Sequence, residues 1–579
     1  MGDDIPPARR FKTELTDYAV AHDDAPGPHA RDAEYDAVIV GAGFAGIFML
    51  KTLRDRGYRA VIFEAGNDLG GTWRWNCYPG AMVDSEMPEY QFSWPEVWET
   101  WTWPSNYPNY EDLRAYFDHV DRVLSIKKDC AFNTVVVGAK FDTAEGKWTV
   151  DTEGGRRTKT KFLILGTGFA SRRYIPDWPG MDTFKGEMHH SSFWPDSSIP
   201  VEGKRCAIIG TGASGVQIAQ AWGSQAGTLT VLQRTPNIAI PMRLRPLTPQ
   251  EQEPRDKHWY REMFALRERT FAGFVYDWVE RNTFDDPPAV RQALREEAWR
   301  RGGFRFWLNL HKDVLFDPAA NREVYDFWAE KTRGRIRDPR KRDLLVPKEP
   351  PHFFGIKRPC LEHCYYEHFN RDNVDVVDIS KNEIKEFTET GIRLEDGSHH
   401  EFDVIALATG FDIATGGKCP FVLILSLHYT PLSLSLGLES IHGTTLRDEW
   451  RPGALTYLGL TVPGYPNMFH LYGAHGPTLL ANGPSAVEVQ GRWIADCLDK
   501  IRREGWRYVD ARPEAARAWK DRIVSFANTS LVPTTRSTFM GGCVPGKVKE
   551  PMCFMEGLPT YRGIIRGALD SMEGFEVVK

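Results

Sequence analysis

Two glycine-rich strand–loop–helix units, with a long charged and aromatic stretch of helical spacing inside the second, predict an α/β protein. The expected architecture is two Rossmann-like dinucleotide-binding domains with a helical insertion. The chain has 579 residues, room for roughly two to four domains. Hydrophobic residues make up 42% and charged residues 26%, which excludes wholesale disorder and a polytopic membrane protein. The 72 Lys and Arg against 78 Asp and Glu leave a net charge of -6. That balance lacks the basic excess that phosphate backbones select, so no nucleic-acid partner is expected.

Residues 1–34, rich in Asp, Pro, Ala and His, read as an N-terminal arm. From Tyr35 onward, DAVIVGAGFAGIFMLKTLRDRG gives an apolar strand, a glycine loop and an amphipathic helix that Gly57 ends. Gly41, Gly43 and Gly46 form G-x-G-x-x-G between strand and helix. Without side chains there, a pyrophosphate can approach the helix N-terminus, whose dipole favours negative charge. Glu64, 23 residues after Gly41, ends the next strand, where a carboxylate accepts hydrogen bonds from ribose hydroxyls. The same grammar returns in KRCAIIGTGASGVQIAQAWG and TLTVLQRTP. This second loop runs Gly210, Thr211, Gly212, Ala213, Ser214, Gly215, with Gln217 in the helix behind it. Here the second strand ends in Gln233, Arg234 and Thr235 rather than in an acid. A guanidinium at that place pairs bidentately with a 2′-phosphate. An acid-ended first site suits FAD and a base-ended second site suits NADPH.

KFLILGTGF at 161–169 and DVIALATGFD at 403–412 are buried strands running into Thr-Gly, where the chain is expected to cross between domains. The division is an FAD-binding part over 35–170, an NADPH-binding domain over 171–394 and a second FAD part with a C-terminal lid over 395–579. The insertion at about 241–350 is expected to be a solvated cover. Nine cysteines show no C-x-x-C and no zinc-ligand spacing, and MGDDIPPARRFK has no apolar run. Reduced thiols, no metal, no membrane span and a cytoplasmic location are expected. Six Trp lie between Trp73 and Trp103.

Between the two units, Phe184, Gly186, His190, Trp194 and Pro195 match F-x-G-x-x-x-H-x-x-x-W-P. Gly70, Gly71, Trp73, Tyr78, Pro79, Gly80 and Asp84 match G-G-x-W-x-x-x-x-Y-P-G-x-x-x-D. On these two fingerprints the chain resembles the type I Baeyer–Villiger monooxygenases, from about Tyr35 to the C-terminal GKVKEPMCFMEGLPTYRG. The resemblance implies that FAD is reduced by NADPH and that one atom of O2 is inserted next to a ketone carbonyl, giving an ester or lactone. AHGPTLLANGPSAVEVQGRW resembles the branch acting on large-ring and polycyclic ketones, which implies a bulky or cyclic ketone of secondary metabolism. Heteroatom (N- or S-) oxygenation on the same scaffold and a catalytically impaired nucleotide-binding homologue are the alternatives.

The likeness assigns roles residue by residue. Phe184, Gly186, His190 and Trp194 couple domain rotation to the flavin cycle, so His190 is not a general base. Thr72, Trp73, Trp75, Asp84 and Tyr90 line the isoalloxazine, whereas Trp94, Trp98, Trp101 and Trp103 are core packing. Lys357 lies near the 2′-phosphate and Arg358 beside the flavin. The attacking oxygen species has to remain an anion, and a guanidinium holds it without releasing a proton, because its pKa stays above about 12. Asp84 orients Arg358, and these two residues are the catalytic candidates. Two departures stand out. Thr538 occupies a position where the family carries a tryptophan that helps close the site over NADP+, and Cys543 departs from the same motif. The segment 417–440 replaces a much shorter connection and reads as a translated intron. Gly417-Lys418 is what a splice donor beginning GTAAG encodes in this frame, and the uncharged Ser/Leu run suits a pyrimidine tract.

Overall fold

The computed structural model describes residues 33–253, 258–415, 437–542 and 544–579. The arm as far as residue 32, the stretch 417–436 of the atypical segment and Cys543 lie outside the described residues. The chain enters with β1 (Glu34–Val40), α1 (Phe44–Asp55) and β2 (Ala60–Phe63). In β1 burial alternates at first and then becomes continuous, the pattern of a parallel strand covered on both faces. There follow β3 (Cys130–Ala131), β4 (Val136–Asp142), β5 (Lys147–Thr152) and β6 (Arg157–Leu165). The second unit holds β7 (Glu187–His190), β8 (Arg205–Ile209), α2 (Ala213–Trp222), β9 (Thr228–Gln233), β10 (Val374–Asp378) and β11 (Val404–Leu407). The chain then returns through β12 (Leu438–Glu439), β13 (Met468–His470) and the long helix α3 (Gly483–Arg503).

The first sheet has the order β12-β4-β5-β6-β1-β2-β3, with β13 beside β6. β1 is parallel to β2 and β6, as a Rossmann-like unit requires. The antiparallel meander β4-β5-β6 was not foreseen, since no glycine motif announces it. The second sheet, β10-β9-β8-β11-β7, is parallel throughout. Here the sequence division needs a correction. β11 was counted with the returning FAD part, yet it lies between β8 and β7, so the second unit continues beyond residue 394 to Leu407. Val404, Ile405, Ala406 and Leu407 are fully buried, and such a strand needs neighbours on both sides.

The insertion needs a correction too. Its helix Pro288–Arg301 is solvated, with Ala298 its one buried residue. Phe304, Phe306, Trp307, Tyr325 and Trp328 are buried, however, so the insertion is a wall of the core rather than a cover. No helix among the described residues is long and apolar enough to cross a membrane.

The two Thr-Gly crossings run side by side. Tyr174 N–H donates to Gly410 O (2.8 Å), Asp412 N–H to Arg172 O (2.8 Å) and Ala414 N–H to Phe169 O (2.7 Å). Gly168 (φ +71°) and Gly410 (φ +88°) have open space where a Cβ would sit, so the left-handed backbone, not crowding, calls for glycine. His190, 4% exposed, stacks edge-on against Phe411 at 5.7 Å. Its Nδ1 accepts from Ser192 N–H (3.2 Å). Burial, helped by the charge of Arg173, pushes its pKa down to about 3. The ring is therefore neutral and carries its proton on Nε2.

The unfolded chain takes up a proton at this histidine near pH 6.5, the folded chain only near pH 3. Stability from His190 is thus complete above pH 6.5 and is lost as the pH falls towards 3. His190→Gln, which retains an acceptor for Ser192, should lessen the loss of urea-unfolding free energy between pH 7.5 and 4.5 by about 2–3 kcal/mol. An unchanged loss would contradict the neutral, buried ring.

Candidate active site

The first nucleotide loop is shaped by close contacts. At Gly41 (φ +101°) a Cβ would lie 2.8 Å from Gly166 O, and at Gly46 it would lie 1.8 Å from Gly41 O. Only glycine lets β1 turn this tightly onto α1. The Gly70-Gly71 turn presses on the same loop, since a Cβ at Gly71 would sit 2.8 Å from the Gly43 Cα. Glu64, 4% exposed, accepts the Ala42 N–H (2.6 Å) and the Gly66 N–H (2.7 Å). Burial raises its pKa, while these N–H groups and a hydrogen bond from Trp75 oppose the rise. Three donors leave one of about four acceptor positions for a ribose hydroxyl. The loop and its acid fit the FAD expected there.

Trp75 departs from the sequence assignment. It hydrogen-bonds Glu64, lies against Gly66 and packs on Phe193 at 5.6 Å, which puts it at the ribose end of the site. The short helix Thr72–Trp75 turns residues two apart to opposite faces, so Trp73 instead donates from Nε1 to Tyr90 Oη (3.2 Å). Thr72 is exposed at the start of that helix. Trp94, Trp98, Trp101 and Trp103 are packed against other rings, such as Phe92 on Trp94 at 4.3 Å and Tyr116 on Trp103 at 4.8 Å.

In the second loop, a Cβ at Gly210 (φ +109°) would meet Ala408 O at 2.4 Å, and one at Gly215 would meet Gly210 O at 2.1 Å. At Gly212 a Cβ would meet no protein atom within 4 Å, yet the residue is glycine. Gly212 and Ala213 are exposed and Ser214 is half-buried, so the outer face of the loop is open where a pyrophosphate would lie. That fits NADPH. Thr211 Oγ1 donates to Thr235 O (2.7 Å), tying loop to strand end. Asn237, which the sequence reading missed, donates from Nδ2 to Thr211 O (2.7 Å) and to Cys360 Sγ (2.7 Å). Arg234 is exposed just past β9, and Lys357 is half-buried next to Arg358. Gln217, expected to touch the nucleotide, is engaged elsewhere. Tyr78 Oη donates to its Oε1 (2.6 Å), and its Nε2 donates to Met82 O (2.9 Å).

The linker motif joins both units. Gly186 packs where a Cβ would be 2.5 Å from Asp403 O and from the ring of Phe184, itself buried. The Trp194 carbonyl accepts from Cys77 Sγ (3.3 Å) and its ring meets Trp222 at 5.7 Å. Asp196 takes both terminal nitrogens of Arg74, at 3.0 and 3.1 Å.

Arg358 and Asp84 meet, although 274 residues apart. Arg358 donates from Nε to Asp84 Oδ2 and from Nη2 to Oδ1, both at 2.9 Å, and from Nη1 to Leu479 O at 2.7 Å. Its guanidinium lies 4.4 Å from the Phe304 ring centre and 5.9 Å from that of Trp307. Burial works against its charge, but the Asp84 carboxylate outweighs burial and holds the pKa above the ordinary arginine value. Of five N–H groups three are used, which leaves one on each terminal nitrogen for an anion. Tyr472, its own pKa pushed up to about 12 by burial, donates to Ala481 O (3.0 Å) in the loop that presents Leu479. Leu479 (φ +72°), His475 (φ +63°) and Tyr472 (φ +49°) are left-handed without being glycine, so this loop is held against its local preference. Thr538 is half-buried in the single turn Thr538–Met540, while its neighbour Phe539 stacks on Trp307 at 6.3 Å. Phe304, Trp307 and the Leu479 carbonyl escaped the sequence reading. The aromatic run FRFWL was the signal for the first two.

A family profile described as flavin-binding monooxygenase-like matches residues 35–240. The chain is 52% identical to the FAD-binding monooxygenase acrE of Aspergillus aculeatus, over 98% of this chain and 93% of that protein. It is 40% identical to the cyclopentanone 1,2-monooxygenase of a Comamonas species, over 91% of this chain and 92% of that one. Among solved structures, cyclohexanone monooxygenase from a Rhodococcus species bound to NADP+ superposes with a TM-score of 0.88 at 32% identity, covering 95% of this chain and all of that one. Two fingerprints, two nucleotide loops and full-length similarity converge, and the chain belongs to the type I Baeyer–Villiger monooxygenase family.

Proposed function

We propose that the protein is an FAD- and NADPH-dependent Baeyer–Villiger monooxygenase. Ketone, O2, NADPH and a proton become ester or lactone, NADP+ and water. The substrate is a bulky or cyclic ketone of secondary metabolism. One observation carries the reading: a guanidinium fixed by two hydrogen bonds to one carboxylate, with N–H groups to spare, against the rings of Phe304 and Trp307. Relatives named for cyclopentanone and cyclohexanone support a ring ketone. All seven described cysteines are free, which supports a reducing, cytoplasmic setting.

FAD is held by the loop of Gly41, Gly43 and Gly46, by Glu64 and by Trp75 at the ribose end, with Thr72, Trp73, Asp84 and Tyr90 further along. NADPH is held by Gly210 to Gly215, with Arg234, Thr235 and Lys357 on the 2′-phosphate. Bound FAD, once reduced by NADPH, supplies the activation of O2. The chain supplies charge and dryness. Arg358 stabilises negative charge on the attacking oxygen and on the carbonyl oxygen, and it has no proton to lose at neutral pH. Asp84 aims the guanidinium and prevents it from pairing elsewhere. Phe304, Trp307 and Tyr90 exclude water, which strengthens the electrostatics within.

Arg358→Ala should retain FAD and still be reduced by NADPH, while ester formation falls by a factor on the order of 10² or more. Product analysis by mass spectrometry on ketones of increasing ring size, beside NADPH consumption, is the check. Normal ester yield from the variant would refute the role, and sulfoxide or N-oxide as the product of the natural chain would refute the reaction.

A further inference from the structure

We propose that Gln217 is a positioning residue, a latch through which the NADPH loop sets the aim of the Asp84–Arg358 pair, and not a ligand of the nucleotide. The inference rests on the reading of Gly210 to Gly215 as the NADPH loop. Both ends of the Gln217 amide are spent on the other unit. Tyr78 Oη donates to its Oε1 at 2.6 Å, and its Nε2 donates to Met82 O at 2.9 Å. The two side chains are 6% and 7% exposed. The Tyr78 hydroxyl also faces Ser214 of the loop itself. Gly80 (φ +78°) lets the fingerprint turn sit flat on α2, because a Cβ there would be 2.6 Å from Gln217 O.

Met82 is two residues before Asp84, whose carboxylate grips Arg358 at 2.9 Å twice. A path of three hydrogen-bonded links therefore runs from the helix behind the phosphate loop to the reactive guanidinium: Tyr78 to Gln217, Gln217 to Met82 and, two residues on, Asp84 to Arg358. Packing alone would be served by leucine. A buried amide with both ends paired fixes one register between the units, and a shift of either end breaks a bond. A nucleotide that pulls on the Ser214 loop thus has differential contact with two positions of the Asp84 turn, which is what coupling between sites requires.

The test uses FAD-loaded protein with Gln217→Leu, and Tyr78→Phe as the volume-conserving second variant. Three readouts are taken: NADP+ affinity, NADP+-induced protection of the peptide 77–87 from hydrogen exchange, and ester formed per NADPH oxidised. Each variant is expected to bind NADP+ within about threefold of the natural chain, to lose the induced protection, and to drop the ester ratio about fivefold or more. Combining the two substitutions should add little to the stronger single one, since they cut one path. A loss of NADP+ affinity of about tenfold with protection retained in the bound form would show a ligand and overturn the latch. Protection and ester ratio equal to the natural chain in both variants would overturn it as well. If the natural chain itself fails to bind NADP+, the NADPH reading falls, and the coupling with it.

Discussion

A single arginine held by a single aspartate, each from a different part of the chain, is the constraint on which the rest of the structure depends. Asp84 sits on the turn that follows the first nucleotide unit, and Arg358 arrives from beyond the insertion in the second. Neither is placed by its neighbours in sequence. The pair forms only when the two sheets are docked, when Leu479 offers its carbonyl from a left-handed backbone, and when Phe304 and Trp307 close beneath the guanidinium.

The docking itself is arranged to allow movement. The two crossings meet as a narrow strip of three backbone hydrogen bonds, with glycines at Gly168 and Gly410 whose Cβ positions are empty. Around that strip several contacts between units are polar: Asp196 with Arg74, Cys77 with the Trp194 carbonyl, and the amide of Gln217 with Tyr78 and Met82. Polar contacts of this kind have discrete alternatives, whereas a large apolar interface would fix the units rigidly. The neutral His190 fits the same picture, since a charge beneath the hinge would have to be desolvated at every movement.

What could be read from the sequence was whatever the backbone demands. The two glycine loops were legible because a pyrophosphate tolerates few solutions, and Glu64 and Arg234 because each follows the end of the strand beside its loop. The meeting of Asp84 with Arg358 was legible only through family likeness, because a separation of 274 residues leaves no periodicity to follow. For a related reason the position of Gln217 behind the loop suggests the nucleotide, whereas its side chain turns to Tyr78 and Met82. Trp75 and Trp73 are close in sequence, yet half a helical turn sends them to opposite faces of the helix Thr72–Trp75. The role of the insertion was hidden in composition, for its exposed helix Pro288–Arg301 dominates the charge pattern while FRFWL holds the wall.

The central claim is that the charge of Asp84, and not merely its shape, keeps Arg358 aimed. The most direct measurement is the ratio of ester formed to NADPH oxidised in Asp84→Asn, with flavin content and anaerobic reduction rate followed in parallel. Asparagine keeps an acceptor and the volume but removes the charge, so the ratio should fall about tenfold or more while the reduction rate changes less than about threefold. An ester ratio equal to that of the natural chain would contradict the account.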